Sequence, residues 1–287
     1  MSIQMGSYQK LNDPREAKSW PFTFYTRNHE TNEKFNSSIF DDISNYITKK
    51  SLVLCCTRDD PTVNKNDEDF DTRTGYGHPR MWSQYADRHK GVCLVLNQES
   101  LNSDIKEKAG GYTLFRGPVL YLKTAGPVGD AYHIQYLDDI LDKDIASVME
   151  PHIEKHNKSL FFTKHLDWRA EWEYRWVLRS TDDAPILIPI TSSIKGIILG
   201  NECTANDTKD ILAICSELTI LVFKLFQHGW SMSLMPTDAK EENVISLNGI
   251  SFSTLIPTSG VFAQAHDSNG NIRPIHINNS GQVIVVE

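Results

Sequence analysis

No stretch of this 287-residue chain is long and apolar enough to cross a bilayer as a helix. The most apolar helical run, residues 211–226, is interrupted by Glu217 and Lys224. Cysteine is scarce and odd in number. Cys55, Cys56, Cys93, Cys203 and Cys215 show no paired spacing, which suits reduced thiols better than a disulfide framework. Cys55 and Cys56 are adjacent, so they cannot chelate as a Cys-x-x-Cys pair does. Cys93 follows His89 by four residues but sits in an apolar run, where burial is a better reading than nucleophilic hydrolysis. The start, MSIQMGSYQKLNDPRE, lacks a basic region followed by an apolar one, so no secretory leader is read there and the cytoplasm is the expected compartment. Walker loops and dinucleotide-type glycine patterns are missing, as are internal repeats. Basic charge is in deficit: 29 Lys and Arg against 37 Asp and Glu give a net −8, which argues against general affinity for a nucleic-acid backbone.

What is present describes an ordinary globular chain, 40% hydrophobic and 23% charged. Residues 1–30 read as polar and turn-rich. In SSIFDDISNYITKK, Ile39, Ile43 and Ile47 recur every four residues behind a serine cap, predicting a helix. SLVLCC (51–56) predicts a buried strand, MWSQYADRH a helix stopped by Gly91, and VCLVLN (92–97) a strand. GPVLYL and SIKGIILG are further strands. Residues 130–166 read as two helices split at Pro151, ending near His165. Asn206, Asp207 and Thr208 cap a helix expected to reach about Gln227. After Trp230, Asn, Ser, Gly and Thr dominate, with short β-rich runs between the turns DSNGN and NNSG. The expectation is an α+β fold of short mixed strands and flanking helices over residues 1–230, with a small β appendage over 231–287.

The segment FFTKHLDWRAEWEYRWVLRS (161–180) holds Trp168, Trp172 and Trp176, three of the six tryptophans. Trp168, Ala170, Trp172, Tyr174, Trp176 and Leu178 occupy the even positions. Arg169, Glu171, Glu173, Arg175 and Arg179 occupy odd ones. Such alternation predicts a strand from about residue 171 with an aromatic face and an Arg-Glu-Glu-Arg face. The rival is a helix, since the tryptophans also recur every four residues. On a strand, Glu171 and Glu173 share a face about 7 Å apart. Facing solvent, that pair is unremarkable; lining a cleft, it can steady a positive charge.

A second block, GHPRMWSQYADRHKGVCLVL, gathers His78, Arg80, Trp82, Tyr85 and His89 ahead of a strand. Trp82 and Tyr85 share a helix face, which fits core packing as readily as a binding wall. In HIEKH, His152 and His156 lie one helical turn apart, with His165 beyond. The pattern is not the zinc-protease signature, and surface histidines are the better reading.

Together LNDPRE, LVLCCTRDD, MWSQYADRHKGVCLVL, KHLDWRAEWEYRWVL and IKGIILG resemble, in order and over roughly residues 8–225, the bacterial family called domain of unknown function 2971. Members of that family usually place a strand, a short helix and another strand ahead of the NDPRE turn. This chain starts almost at the turn, so the first strand is expected to be missing, leaving an open edge, self-association or weak cofactor binding. The layout is also similar to ADP-ribosyltransferase-like folds. That likeness implies an NAD-consuming enzyme with NAD as substrate, and the kind of family implies a toxin or phage-defence effector. It assigns Glu173 as the carboxylate that stabilises an oxocarbenium-like ribose and Glu171 as its acceptor-orienting partner. Arg80, Trp82, Tyr85, His89 and Arg175 become candidates for nicotinamide stacking and pyrophosphate binding. The nucleotide is then the small-molecule partner, with a protein or nucleic-acid acceptor left open and no membrane involved. The competing reading is a non-enzymatic structural or partner-binding protein, in which these Trp, Tyr, Glu and Arg blocks serve the core.

Overall fold

The computed structural model describes residues 1–17, 20, 22–25, 38–62, 70–123, 130–181, 184–228 and 231–237, with the backbone of four strands between 252 and 285. The fold is α+β, with several small sheets of antiparallel and mixed pairing. Two compact units emerge, Met1–Asp59 with Gln98–Ser193, and Asp60–Asn97 with Ile194–Glu287.

The first unit is built on a five-stranded sheet in the order β10-β1-β3-β9-β5. Its strands are β1 (Ser2–Ser7), β3 (Ser51–Thr57), β5 (Leu114–Pro118), β9 (Glu173–Arg179) and β10 (Ile186–Pro189). β9 is central, pairing antiparallel with β3 over seven residues and with β5 over five. One face of β9 turns Trp176 toward α4 (Gln98–Ala109), where its indole N–H donates to Asn102 Oδ1 at 2.8 Å. The other face presents Glu173, Arg175, Val177 and Arg179. α2 (Ser38–Lys49) and α6 (Ile145–Phe161) share with that face a core of Ile43, Ile47, Met149, Ile153, Phe161 and Val177. Arg179 donates to the Ile47 carbonyl and to Ser51 Oγ, both at 2.8 Å, placing a cation on the last carbonyls of α2. Two small pairs complete the unit: β2 (Thr23–Tyr25) with β7 (His133–Tyr136), and β6 (Leu120–Leu122) with β8 (Thr163–His165).

Several expectations change here. Ser2–Ser7, read as polar and turn-rich, is a strand between β3 and β10. Pro151 lies inside α6 rather than dividing two helices; the division falls earlier, between α5 (Leu137–Asp142) and the cap Asp144, whose carboxylate accepts from Ser147 N at 3.0 Å. Proline removes one hydrogen bond at its own position, and here α6 continues through that loss. α6 ends at Phe161, and residues 166–171 form a 3-10 turn, so β9 starts at Glu173 rather than 171.

In the second unit, β4 (Val92–Leu96), β11 (Ile194–Leu199), β12 (Leu221–His228) and β13 (Ser231–Pro236) form a sheet in the order β13-β12-β11-β4. β11 and β12 are parallel, which requires a crossover, supplied by α7 (Ala205–Leu218). Thr204 caps α7 and left-handed Thr219 ends it, so Leu221–His228 is a strand where a helix was expected. Its LVFKLF run has the β-branched and aromatic content that suits a pleated, half-buried surface. β13 pairs antiparallel with β12, from His228 with Ser231 to Phe223 with Pro236. The later strands β14 (Phe252–Leu255), β15 (Val261–His266), β16 (Ile272–Ile277) and β17 (Val283–Val285) form an antiparallel meander. The turns DSNGN and NNSG lie outside the described residues.

α3 (Pro79–Tyr85) lays Trp82 and Ala86 on Ile198, Phe223, Leu225, Met232 and Leu234. It is followed by three consecutive non-glycine residues in the left-handed region, Asp87, Arg88 and His89. This turn is held by His89 N donating to Trp82 O at 3.2 Å, Gly91 N to Ala86 O at 2.8 Å and Glu202 N to His89 O at 3.0 Å. A Cβ on Gly200 would stand 2.0 Å from the His89 carbonyl oxygen, so only glycine fits. Gly200→Ala is therefore expected to lower stability by about 1–3 kcal/mol in urea unfolding. Arg88→Gly, which relaxes a left-handed residue, should be neutral or stabilising. Equal stability for Gly200→Ala and the parent would disprove the close packing of this turn.

Candidate functional site

The polar face of β9 is buried rather than solvated. Arg175 is 0% exposed, Lys164 3%, Glu171 4%, Glu173 5% and Glu16 6%. They arrive from four pieces of the first unit: Glu16 from α1 (Pro14–Ala17), Lys164 from β8, Glu171 from the 3-10 turn, Glu173 and Arg175 from β9. Arg175 donates from Nε to Glu173 Oε1 at 2.6 Å and from Nη2 to Glu173 Oε2 at 3.0 Å. It also donates from Nη2 to Glu16 Oε2 at 2.9 Å, from Nη1 to Glu16 Oε1, and from Nη1 to the Phe161 carbonyl at 2.8 Å. The guanidinium fork is thus shared between two carboxylates, the geometry that arginine supplies and lysine cannot. Lys164 Nζ donates to Glu171 Oε2 at 2.7 Å and Glu173 Oε2 at 3.2 Å, and lies 3.6 Å from Glu16 Oε2. Trp168 places its ring 4.7 Å from the same ammonium.

A left-handed Trp172, φ 46°, makes this convergence possible. In a regular strand the two carboxylates would stand apart along one face. The turn instead folds Glu171 back so that both meet one ammonium. Two further groups fix the entry to β9. Glu173 N donates to the Tyr121 hydroxyl at 2.9 Å, and Val119 N donates to Glu173 O at 2.9 Å. Tyr121 and Lys164 are register partners in the β6–β8 pair, so one ribbon delivers both.

Electrostatics follow from that packing. Burial alone would raise the Glu173 carboxyl, but Arg175 and then Lys164 outweigh it and hold it below the ordinary carboxylate value. Burial pulls Lys164 down, yet Glu173 and Glu16 more than reverse this and hold it above its ordinary value. Burial pushes the Tyr121 hydroxyl up to about 12, and burial with Glu16 pushes Tyr8 well up, so both stay protonated. Tyr8 donates to Glu16 Oε1 at 3.3 Å. Cys55, directly opposite Arg175 in the β3–β9 ladder, keeps solvent exposure although its surroundings are dense; that density and Glu173 push its thiol well up.

Of the residues singled out in the sequence, Glu171, Glu173 and Arg175 meet in this cluster. Arg169, from the same alternation, is exposed. Trp172 is half-buried in the turn, and the fully packed tryptophan of β9 is Trp176. Arg80, Trp82, Tyr85 and His89 belong to the second unit. There Trp82 is a core residue, 3% exposed, donating from Nε1 to the Tyr76 carbonyl at 2.7 Å and stacked on His89 at 6.2 Å. Tyr85 is 52% exposed and Arg80 lies at the surface. No sequence signal ties Glu16, Lys164, Tyr121 or Tyr8 to the glutamates, and Cys55 reads there only as a reduced thiol. Glu16 and Lys164 stood in view as the end of LNDPRE and the start of KHLDW, without a period to tie them to the glutamates.

The histidines of α6 have a structural use. His152 Nε2 is 2.8 Å from the Ala131 carbonyl, and its ring lies 4.6 Å from that of His156. Among the described residues no group of three His, Cys, Asp or Glu is placed to hold a metal ion, and no helix is long and apolar enough to cross a membrane.

Residues 81–176 match the model of a family described as a protein of unknown function (DUF2971). That span includes the W-x-x-Y block and the Glu-x-Glu strand start. No curated protein and no solved structure matches the chain.

Removing one partner from a buried ion pair typically costs about 3–5 kcal/mol, because the other charge stays buried. Arg175→Met is expected to show a loss of that order in urea unfolding; a loss of less than about 1 kcal/mol would show the cluster to be dispensable. A separate pH effect belongs to α6. Burial holds both His152 and His156 below their ordinary value of 6.5. The unfolded chain therefore takes up protons first, so this contribution is present above about pH 6.5 and is lost as pH falls through the native values. His152→Gln should flatten the stability profile between about pH 6.5 and 5. An unchanged slope there would remove these histidines from the account.

Proposed function

We propose that the chain is an NAD-consuming enzyme of the ADP-ribosyltransferase type, with Glu173 as the working carboxylate and Glu171 as its partner. The observation that carries this is the charge of the cluster. Three carboxylates, Glu16, Glu171 and Glu173, face two cations, Lys164 and Arg175, so these five side chains sum to −1. A fixed site of that sign favours a developing positive charge, such as the oxocarbenium-like ribose formed when the nicotinamide bond breaks. Glu173 is held ionised for that task by Arg175 and Lys164. Arg175, expected to bind pyrophosphate, spends its fork on Glu16 and Glu173 and becomes a positioning residue in this scheme. Arg80, Trp82, Tyr85 and His89, expected as nucleotide contacts, belong to the second unit, and the proposal rests on first-unit residues alone. A toxin or phage-defence role, with a protein or nucleic-acid acceptor, is the biological form such an activity would take.

One observation favours a second reading. Glu173 is only 5% exposed and accepts from Arg175 and Lys164 together, which also suits a non-enzymatic protein whose cluster simply locks α1, β8 and β9. Glu173→Gln separates the two. It keeps the shape and removes the charge, so on the enzymatic reading NAD loss or ADP-ribose transfer should fall about 100- to 1000-fold. Unaltered NAD turnover in this variant, or no turnover in the parent at any NAD concentration, would leave the structural reading standing.

A further inference from the structure

The strands around β9 carry a second set of charges on the face away from the carboxylates. Arg58 N donates to Trp172 O at 3.0 Å and Trp172 N to Arg169 O at 3.2 Å, so two arginines each stand one main-chain bond from the same tryptophan. The first of these bonds extends the β3–β9 ladder beyond Thr57. Arg58 therefore takes the side of Cys56 and its register partner Tyr174, the reverse of the face that holds Glu173 and Arg175. On the other flank of β9, Arg116 of β5 is the register partner of Trp176 and shares this reverse face.

Aromatic rings lie among these cations. Every residue of β9 except Tyr174 is buried, and the Tyr174 ring rests on that of Trp176 with centroids 4.7 Å apart. Trp172 and Arg58 are half-buried, while Arg116 and Arg169 are exposed. Among the described residues, no hydrogen bond or ion pair engages the side chains of Arg58, Arg116 or Arg169, and Arg58 Nε is buried without an acceptor. Arg73, Arg175 and Arg179 differ, since each is bonded to a carboxylate. A buried donor left unmet is costly, and a guanidinium fork is shaped for an oxyanion. The exposed acids nearest in sequence are Asp59 and Asp167, and Asp167 lies 2.9 Å from His165 Nδ1.

We propose that this reverse face binds single-stranded nucleic acid, with Trp172 and Tyr174 stacking bases and Arg58, Arg116 and Arg169 holding phosphates. The net charge of −8 argues against general attraction to a nucleic-acid backbone, so the recognition is local. Planar rings beside unpaired guanidinium groups are what sequence-tolerant recognition of a single strand requires. An acidic peptide would satisfy the arginines and leave the rings without a partner. A duplex would keep its bases stacked on one another. This inference goes beyond the NAD reading and does not depend on Glu173.

The test is fluorescence anisotropy of a fluorescein-labelled oligothymidylate of about twelve nucleotides, titrated with the full-length protein. Binding is expected with a Kd on the order of 10 µM at low salt, and three phosphate contacts give a slope of log K against log salt of about −2. Trp172→Gly suits the left-handed φ of 46° and removes the ring, so affinity should fall about 5- to 100-fold. Tyr174→Leu removes the other ring and serves if the glycine variant does not fold. Arg58→Gln and Arg116→Gln should each reduce the salt slope by about 0.7 while melting stays within about 2 °C of the parent. Polyglutamate should not compete, and the duplex should bind about fivefold or more weakly. No binding at about ten times the expected Kd, equal binding of polyglutamate or duplex, or full affinity in the folded aromatic and arginine variants would each overturn the surface. Oligothymidylate binding without NAD consumption would keep this surface and dismiss the enzymatic reading; NAD consumption without such binding would do the reverse.

Discussion

Arg175 is the interaction on which the first unit depends. A guanidinium with no exposure to water must have its charge and its donors met in place, because leaving either unmet costs several kcal/mol. Two carboxylates and a main-chain carbonyl meet that demand, and each belongs to a different segment: Glu16 near the start of the chain, Phe161 at the end of α6, Glu173 at the head of β9. The side chain therefore fixes three chain segments relative to one another, which an apolar residue of equal volume would do without directional preference. Lys164 repeats the arrangement from the opposite side and brings Glu171 into it. The cluster is geometrically specific because moving either cation takes a counter-charge from two carboxylates, Glu16 and Glu173 for Arg175, Glu171 and Glu173 for Lys164.

This arrangement also explains why a pair of glutamates two apart can sit so close to one ammonium. Trp172 abandons the extended conformation, and the hydroxyl of Tyr121 takes up the Glu173 N–H at the strand's first residue. The aromatic content of the segment thus serves two purposes. Trp176 packs and hydrogen-bonds behind the sheet, while Trp168 shields the lysine in front. Stability and any chemistry at Glu173 share the same contacts, so variants that preserve shape are more informative than alanine.

Much of this was legible in the sequence. The four-residue spacing of Ile39, Ile43 and Ile47 located α2, and the alternation, read as a strand from about residue 171, located β9 with its two faces although the strand begins at Glu173. What alternation cannot tell is whether a polar face meets water or protein. Arg-Glu-Glu-Arg reads the same in either case, and the answer depended on Glu16 and Lys164 arriving from segments that carry no period. The helix expected through Leu221–His228 failed for a related reason. Its apolar run is compatible with either element, and the stop at Thr219 is made by a left-handed residue that is not glycine. Pro151 misled in the opposite direction, since a helix capped by Asp144 tolerates the loss of one bond inside it. The W-x-x-Y block lies on α3. Its tryptophan proved to be core, the commoner fate of a large aromatic on a short helix.

The left-handed run of Asp87, Arg88 and His89 bears on the order in which the second unit forms. Residues with a Cβ visit that region rarely in an unfolded chain, and three in succession multiply the rarity. The turn therefore cannot serve as a local nucleus. Its local bonds to Trp82 and Ala86 are joined by distant ones, since Glu202 holds the His89 carbonyl and Gly200 holds that of Gly91 across more than a hundred residues of sequence. Loop closure over that span is paid for by the β4–β11 ladder, and the turn locks last. A segment that is adjacent in sequence to a helix and a strand is thus, in time, one of the final pieces of the unit to become native.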